Sequence, residues 1–259
     1  MVAIKDYKHY TSEMLKSAYD KLGFVDKIFE PVEVVVDFGC ADGAISEIIK
    51  LFYPNALVVG YDLPEVVELN DSGETVHYTS SLDEVRTLIN GKTSLLVLNS
   101  VVHEIYNYER DPQAFLQFLF NMGFNYIWIR DLYIRQNYLP TDPKFVEVVN
   151  RLYNEYGDQV RDFEQIYGSI RDSKNFLHFL MKYKYVQNWD REVKEDYTLF
   201  GTNHDELKCQ LDESGYVVVK QSLYSLPYTR NLIREEFGLE LARNLCITHF
   251  YGLYKLKTK

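Results

Sequence analysis

Short apolar runs alternate with helical patterns in the first half of the chain. The runs are VEVVVDFG from Val34, ALVVGYD, HYTSS, SLLVLNS and NYIWIRD, and HYTSS is the weakest strand pattern among them. Continuously apolar, β-branched runs of this length are typical of strands buried on both faces. Between them, segments such as AISEIIKLF and LDEVRTLIN repeat apolar residues at helical spacing. The alternation predicts an α/β fold with an open, doubly wound, mostly parallel sheet.

A helical insertion interrupts this predicted sheet domain. Residues 32–132 form its first part, and residues 202–259 add a helix and two strands, of which the last is expected to run antiparallel. Residues 133–201 contain no comparable strand, and FVEVVNRLYNEY and NFLHFLMKYKY have helical spacing. Residues 1–31 form a separate N-terminal segment with a helical pattern.

Composition excludes several classes of protein. Hydrophobic residues make up 46% and charged residues 25%, as in globular domains and unlike collagen-like or disordered chains. The chain as a whole has a net charge of -10, which disfavours binding to the phosphate backbone of a nucleic acid. The three dispersed cysteines match neither a metal knuckle nor a disulfide framework, which favours a reducing cytoplasm and no metal. No apolar run approaches the roughly 20 residues that span a bilayer, so no membrane partner is expected.

The turn after the first strand, in VVVDFGCADG, has the chemistry of a ligand-binding loop. Ligands of doubly wound sheets bind at the carboxyl ends of strands, and Gly39 would allow close approach of the backbone. Asp62 ends the second strand 23 residues later, where a carboxylate can accept hydrogen bonds from both ribose hydroxyls. A dinucleotide fingerprint would require glycine where Ala41 and Ala44 stand. A cofactor without a pyrophosphate, such as S-adenosylmethionine, fits better, and Asp37 is placed to help hold its amino-acid portion.

Three segments together resemble a known family. VVVDFGCADG, the YD pair at 61–62 and LLVLNSVVHEI resemble, in order and spacing, the class I S-adenosylmethionine-dependent methyltransferases. That family usually has an acidic residue followed by GxGxG, and here Ala41 replaces the middle glycine. The resemblance covers roughly residues 32–131 and the terminal strands, but not the insertion.

The resemblance implies a Rossmann-like fold with S-adenosylmethionine as the cofactor. It places part of the first motif beside the methionine portion, Asp62 on the ribose hydroxyls, Leu63 on the adenine and Asn99 near the sulfonium. The full set of implied cofactor-binding residues is Asp37, Gly39, Ala41, Gly43, Asp62, Leu63, Ser81, Leu82 and Asn99.

Candidate catalytic residues follow the fourth and fifth strands. His103 has a pKa range suited to taking a proton from a hydroxyl or an amine, with Glu104 beside it. Methyl transfer mainly requires alignment of the nucleophile, so His103 could equally cap a turn or pack beside the cofactor. Arg130 and Asp131 end the fifth strand. We predict that Asp131 is catalytic and that Arg130 binds substrate, with structural charge pairs as the alternative for both.

The insertion is expected to act as a substrate lid. It follows Asp131 directly and concentrates rings and charges between His178 and Tyr197. Such side chains can stack on a substrate and neutralise it, which makes Trp189 and Arg191 candidate substrate-binding residues. An amphipathic helix pair with a solvated face is the alternative.

These patterns predict a methyltransferase that acts on an oxygen or nitrogen atom of a small or medium polar acceptor. An RNA or protein acceptor is the first alternative, although basic residues of the insertion are interleaved with acidic ones. A non-catalytic cofactor-binding interaction module is the second. A nicotinamide-dependent dehydrogenase is disfavoured by the missing glycines. The sequence specifies neither the acceptor nor the oligomeric state.

Overall fold

The structure, a computed structural model, describes residues 17–70, 75–135, 143–238 and 247–257. The predicted helical pattern of residues 1–16 lies outside the described residues. Among the helices that are described, none has the length and apolar character needed to cross a membrane.

Seven strands form one mixed sheet. They are β1 (Val34–Phe38), β2 (Leu57–Tyr61), β3 (Val76–Thr79), β4 (Ser94–Asn99), β5 (Tyr126–Leu132), β6 (Tyr216–Tyr224) and β7 (His249–Leu256). Their order is β3-β2-β1-β4-β5-β7-β6, and β1 to β5 pair in parallel. The C-terminal strands are antiparallel. The predicted α/β class, doubly wound and mostly parallel with helices around the sheet, is confirmed.

Helices connect the strands and fill the segment between β5 and β6. They are α1 (Ala18–Lys21), α2 (Ala44–Phe52), α3 (Pro64–Val67), α4 (Leu82–Ile89), α5 (Val102–Tyr108), α6 (Pro112–Phe120), α7 (Pro143–Glu155), α8 (Gly157–Tyr167), α9 (Ser173–Leu180), α10 (Trp189–Glu192), α11 (Leu199–Glu213) and α12 (Pro227–Phe237). A 3₁₀ turn at Val186–Asn188 precedes α10.

The chain divides into two compact units. The first, called the sheet unit, contains the described residues 17–70, 75–131, 204–222 and 251–257. The second, called the helical unit, contains the described residues 132–135, 143–203, 223–238 and 247–250. The predicted boundaries assigned all of residues 202–259 to the sheet domain, whereas this division groups α12 with the insertion.

The core of the sheet unit lies where the segment before β1 packs on one face of the sheet. Phe24, Ile28 and Val32 of that segment are buried with Val35 and Trp128. The rings of Phe24 and Trp128 are 5.6 Å apart. This packing brings residues 17–32 onto the face that carries the odd-numbered positions of β1, because neighbouring residues of a strand alternate between faces.

The helical unit has its own aromatic core, which includes Phe163, Phe176 and Tyr183. Lys182 is fully buried there, and its ammonium donates to the backbone carbonyls of Glu192 and Glu195. Lys182 is therefore a structural cation that holds the chain around α10.

Candidate cofactor and active site

The loop after β1 adopts a left-handed backbone at three positions. The φ angles are +77° at Gly39, +50° at Ala41 and +76° at Gly43. A Cβ at Gly39 would lie 2.8 Å from Val101 Cγ2, and one at Gly43 would lie 2.0 Å from the Tyr78 hydroxyl. At both positions a Cβ would therefore displace a neighbouring side chain, whether or not a ligand is bound.

Ala41 is held by side chains from the end of β2 and the segment after α3. Its backbone N–H donates to Asp62 Oδ2 at 2.8 Å, and its carbonyl accepts from Asn70 Nδ2 at 2.6 Å. These two bonds stabilise an alanine in a backbone region that favours glycine. The alanine that departs from the family motif is thus a fixed part of the loop.

Asp62 fastens this loop and keeps acceptor capacity. Its Oδ1 accepts from the N–H of Leu63 at 2.7 Å, while Oδ2 accepts from Ala41. A carboxylate has about four lone-pair positions, so roughly two remain for a ligand. Burial raises the pKa of Asp62, and the two backbone hydrogen bonds oppose that rise.

Asp37 is buried at the end of β1. Ser46 Oγ of α2 donates to Asp37 Oδ2 at 2.7 Å. Burial raises the pKa of Asp37 to about 6, while the Ser46 hydrogen bond and the positive charge of Lys21 oppose the rise. The side chain therefore lies beside the loop but is already engaged with the helix that follows it.

The other implied cofactor residues have simpler positions. Leu63 is 39% exposed beside Asp62. Ser81 is the N-cap of α4, where its hydroxyl accepts from the N–H of Glu84 at 3.2 Å, and Leu82 is the first residue of that helix. Asn99 is buried at the end of β4 and accepts from Trp128 Nε1 at 3.2 Å through its Oδ1.

His103 and Asp131 form a buried pair. His103 Nδ1 lies 2.6 Å from Asp131 Oδ1, and Asp131 Oδ2 accepts from the backbone N–H groups of Val102 and His103 at 2.7 and 3.2 Å. Asp131 thus caps the start of α5 and orients the imidazole. A carboxylate on Nδ1 fixes the tautomer in which Nε2 carries the lone pair. Glu104, the next residue of α5, is half-buried.

Arg130 is engaged by its neighbours. Its Nε donates to Asp20 Oδ2 at 2.9 Å, and its Nη1 donates to Ser100 Oγ at 2.6 Å. Ser100 itself has a φ of +57°. These contacts account for the charge of Arg130 without a ligand, so its role in substrate binding stays a prediction.

Trp189 and Arg191 are packed within the helical unit. Trp189 Nε1 donates to Asp162 Oδ2 at 3.1 Å, and its ring contacts Phe179. Arg191 is buried and pairs with Glu195 at 3.5 Å. The lid role of both side chains stays a prediction, and alanine at either position would disturb this packing.

Sequence patterns missed several residues of the site. Ser46, Asn70 and Tyr78 lie in segments whose sequence indicates a helix, a loop or a strand, but no role in a site. Lys21 is 3% exposed, and burial lowers its pKa to about 8. A lysine inside a polar, helix-forming segment carries no pattern that distinguishes a buried side chain from an exposed one.

Comparison with known proteins gives similarity of fold. No protein-family model matches the chain, and no curated protein matches it. Among solved structures, the plantazolicin methyltransferase BamL, in complex with SAH and a triazolic desmethylPZN analog, is 11% identical with a TM-score of 0.54. The match covers 97% of this chain and 88% of BamL.

Two further solved structures have a similar fold. The plantazolicin methyltransferase BpumL in complex with SAH is 13% identical with a TM-score of 0.51, over 98% of this chain and 92% of BpumL. A SAM-dependent methyltransferase from Anabaena variabilis ATCC 29413 is 11% identical with a TM-score of 0.51, over 93% and 84% of the two chains. The chain therefore has the fold of the S-adenosylmethionine-dependent methyltransferases, as the resemblance of its motifs implied.

Proposed function

We propose that this protein is an S-adenosylmethionine-dependent methyltransferase that acts on an oxygen or nitrogen atom of a small or medium polar acceptor. The observation that carries the proposal is the position of Asp62. Its carboxylate ends β2, holds the loop after β1 through Ala41, and retains acceptor positions for a ribose diol. The shared fold supports the same interpretation.

The side chains at the carboxyl edge of the sheet suit a nucleoside with an amino-acid portion. Asp62 supplies acceptors for hydroxyl groups, and Leu63 offers an exposed apolar surface to a base. Asn99 Nδ2 is buried and has no hydrogen-bond partner among the described residues. A buried donor without a partner is costly, so a ligand that accepts from it would be favoured.

The His103–Asp131 pair supports the assignment of an acceptor with a removable proton. The bound cofactor would supply an electrophilic methyl group. Asp131 holds the His103 ring at Nδ1, and the proposed role of the ring is to take the proton from a hydroxyl or an amine of the acceptor. The charge that the ring gains would be stabilised by the Asp131 carboxylate.

We also propose that the helical unit selects the acceptor, with Trp189 and Arg191 contributing through the segment that they hold in place. Rings and charges suited to a polar substrate are concentrated there. A small or medium acceptor is favoured over RNA because Lys182 and Arg191, two basic residues of the insertion, are buried in internal contacts.

Calorimetric titration with S-adenosylmethionine, S-adenosylhomocysteine and NAD tests the proposal directly. We expect the first two to bind and NAD to give no heat of binding. Binding of NAD alone, or of none of the three, would reject the cofactor assignment. Transfer of a labelled methyl group to a panel of small alcohols, acids and amines, with peptides and RNA as competitors, then identifies the class of acceptor.

A further inference from the structure

Lys21 is a buried cation that the contacts within the protein do not explain. It ends α1, and its side chain is 3% exposed. Among the residues that the structure describes, no hydrogen bond or ion pair satisfies its ammonium. Burial of a charge without a partner is strongly unfavourable, so such a group is retained where something else pairs with it.

The charges that act on Lys21 belong to residues at the carboxyl edge of the sheet. Asp37 at the end of β1, Asp42 in the following loop and Asp131 at the end of β5 favour its charged form, and Arg130 opposes it. Burial is nevertheless the largest influence, and it lowers the pKa of Lys21 to about 8. Lys21 is therefore close to the edge of the sheet at which ligands of this fold bind.

Gly23 and Phe24, shortly after α1, hold this segment against the sheet. A Cβ at Gly23 would lie 3.2 Å from Trp128 Cη2, and Phe24 packs against the same indole. The glycine favours this approach, since an added Cβ would make the contact with Trp128 tighter than usual. Asp20, next to Lys21 in α1, accepts from Arg130 Nε at 2.9 Å near the carboxyl end of β5, so α1 itself lies at that edge of the sheet.

Trp128 also connects this segment to a second unsatisfied donor. Its Nε1 donates to Asn99 Oδ1, which leaves the buried Asn99 Nδ2 without a partner among the described residues. Asn99 is in register with Arg130 on β5, and Trp128 lies two residues before Arg130. Residues in register, and residues two apart, share a face of the sheet, so Asn99 lies on the face that the Lys21 segment covers.

The carboxylates whose charges act on Lys21 are hydrogen-bonded to other groups, and Asp42 accepts from the backbone N–H of Ala44. Asp37 accepts from Ser46, and Asp131 accepts from the imidazole and backbone of His103. The buried ammonium of Lys21 and Asn99 Nδ2 are thus two donors without a hydrogen-bonded acceptor among the described residues. An anion from the ligand would accept charge-assisted hydrogen bonds from them.

We propose that Lys21, assisted by Asn99 Nδ2, binds the α-carboxylate of the amino-acid portion of the cofactor. This inference rests on the proposed function, because that cofactor is the source of the carboxylate. It makes Lys21 a binding residue that distinguishes a complete cofactor from a nucleoside lacking the amino acid.

Binding of two ligands to a Lys21→Met variant tests the inference. S-adenosylhomocysteine carries the carboxylate, whereas 5′-methylthioadenosine keeps the nucleoside and lacks the amino-acid portion. We expect Lys21→Met to weaken S-adenosylhomocysteine binding about 10- to 100-fold and to change 5′-methylthioadenosine binding by less than about twofold. Lys27→Met is the matched control, since Lys27 donates to Gly23 and Asp26 within its own segment.

The outcomes separate the inference from the proposed function. Equal affinity of wild type and Lys21→Met for S-adenosylhomocysteine would overturn the role of Lys21 and leave the cofactor assignment intact. Equal loss for both ligands would also overturn it, because Lys21 would then act on the fold or on the nucleoside site. If neither ligand binds to the wild type, both the proposed function and the inference are wrong. Cooperative thermal unfolding of each variant establishes that the comparison is made on folded protein.

Proton uptake provides a second readout that a structural lysine would not alter. A carboxylate beside the ammonium raises the pKa of Lys21 from about 8, so binding near pH 8.5 should take up protons. Calorimetry in two buffers of different ionisation enthalpy measures this uptake. We expect uptake with S-adenosylhomocysteine to be larger in the wild type than in Lys21→Met, and identical values would contradict the inference.

Discussion

Replacement of Gly39 by alanine tests why the loop after β1 begins with a glycine. The sequence suggests close approach of a ligand, whereas the structure places Val101 Cγ2 at 2.8 Å from the position of an added Cβ. Val101 follows β4 and is 8% exposed, so it has little room to move. The variant should therefore unfold more easily even without any ligand.

The expected magnitude has two parts. An alanine at a φ of +77° costs about 1–2 kcal/mol in backbone conformation. Overpacking against Val101 adds about 1–3 kcal/mol. Gly39→Ala should thus lower the free energy of unfolding by about 2–5 kcal/mol.

A double-mutant cycle with Val101→Ala separates these parts. Val101→Ala alone removes two buried methyl groups and should cost about 2 kcal/mol. In the double variant the closest remaining contact would be with Val101 Cβ at 3.2 Å, so most of the overpacking is relieved while the backbone cost remains. Urea unfolding of the four proteins should give a coupling of about 1–3 kcal/mol in favour of the double variant.

Additive losses in the four proteins would refute this reasoning, because the clash with Val101 would then contribute nothing. Calorimetric binding of S-adenosylhomocysteine to the double variant adds a functional result. If the double variant is more stable than additivity predicts and also binds the ligand normally, Gly39 is needed for internal packing. Recovery of stability without affinity would show that the backbone at Gly39 also approaches the ligand.

Three further predictions concern charged side chains of the site. Asp62→Ala should weaken calorimetric binding of S-adenosylmethionine by about 10- to 100-fold, since charge-assisted bonds contribute about 1.5–3 kcal/mol; unchanged affinity in a folded variant would reject the cofactor site. His103→Ala should lower kcat by about 10²- to 10⁴-fold with any accepted substrate while the affinity for S-adenosylhomocysteine stays the same, and an unchanged kcat would exclude His103 as the base. The raised folded-state pKa of Asp37, about 6, stabilises the fold fully below about pH 4, and this contribution is lost as pH rises through 6. Urea unfolding across pH 4–7 should show that decline in the wild type and a flatter profile in Asp37→Asn, and identical profiles would contradict it.

The sequence by itself determined the order of strands and helices around the first half of the sheet. β1, β2, β4 and β5 were predicted from continuous apolar runs, because a strand buried on both faces must be apolar at every position. The loop after β1 and Asp62 after β2 were predicted for a related reason. Parallel strands bring their carboxyl ends to one edge, so residues distant in sequence can be assigned to one region without coordinates.

The tertiary structure decided which of those residues contact one another. Helix α5 was missed because its first N–H groups are capped by Asp131, which lies 29 residues beyond Val102 and leaves no local pattern. The same carboxylate orients His103, a pairing that sequence spacing does not encode. Asp131 was predicted as a catalytic residue, and its role as a cap could be seen only in the fold.

Burial was likewise decided by packing at long range. Gly43 was predicted as a cofactor-binding residue, and the structure shows in addition that the Tyr78 ring from β3 occupies the space beside it. No sequence pattern marked Lys21 as buried, and the contacts of Gly23 and Phe24 with Trp128 bring its segment onto the sheet. Local periodicity indicates which face of a segment is exposed and which is buried. These side chains, however, are buried by residues that are distant in sequence and come close only in the folded chain.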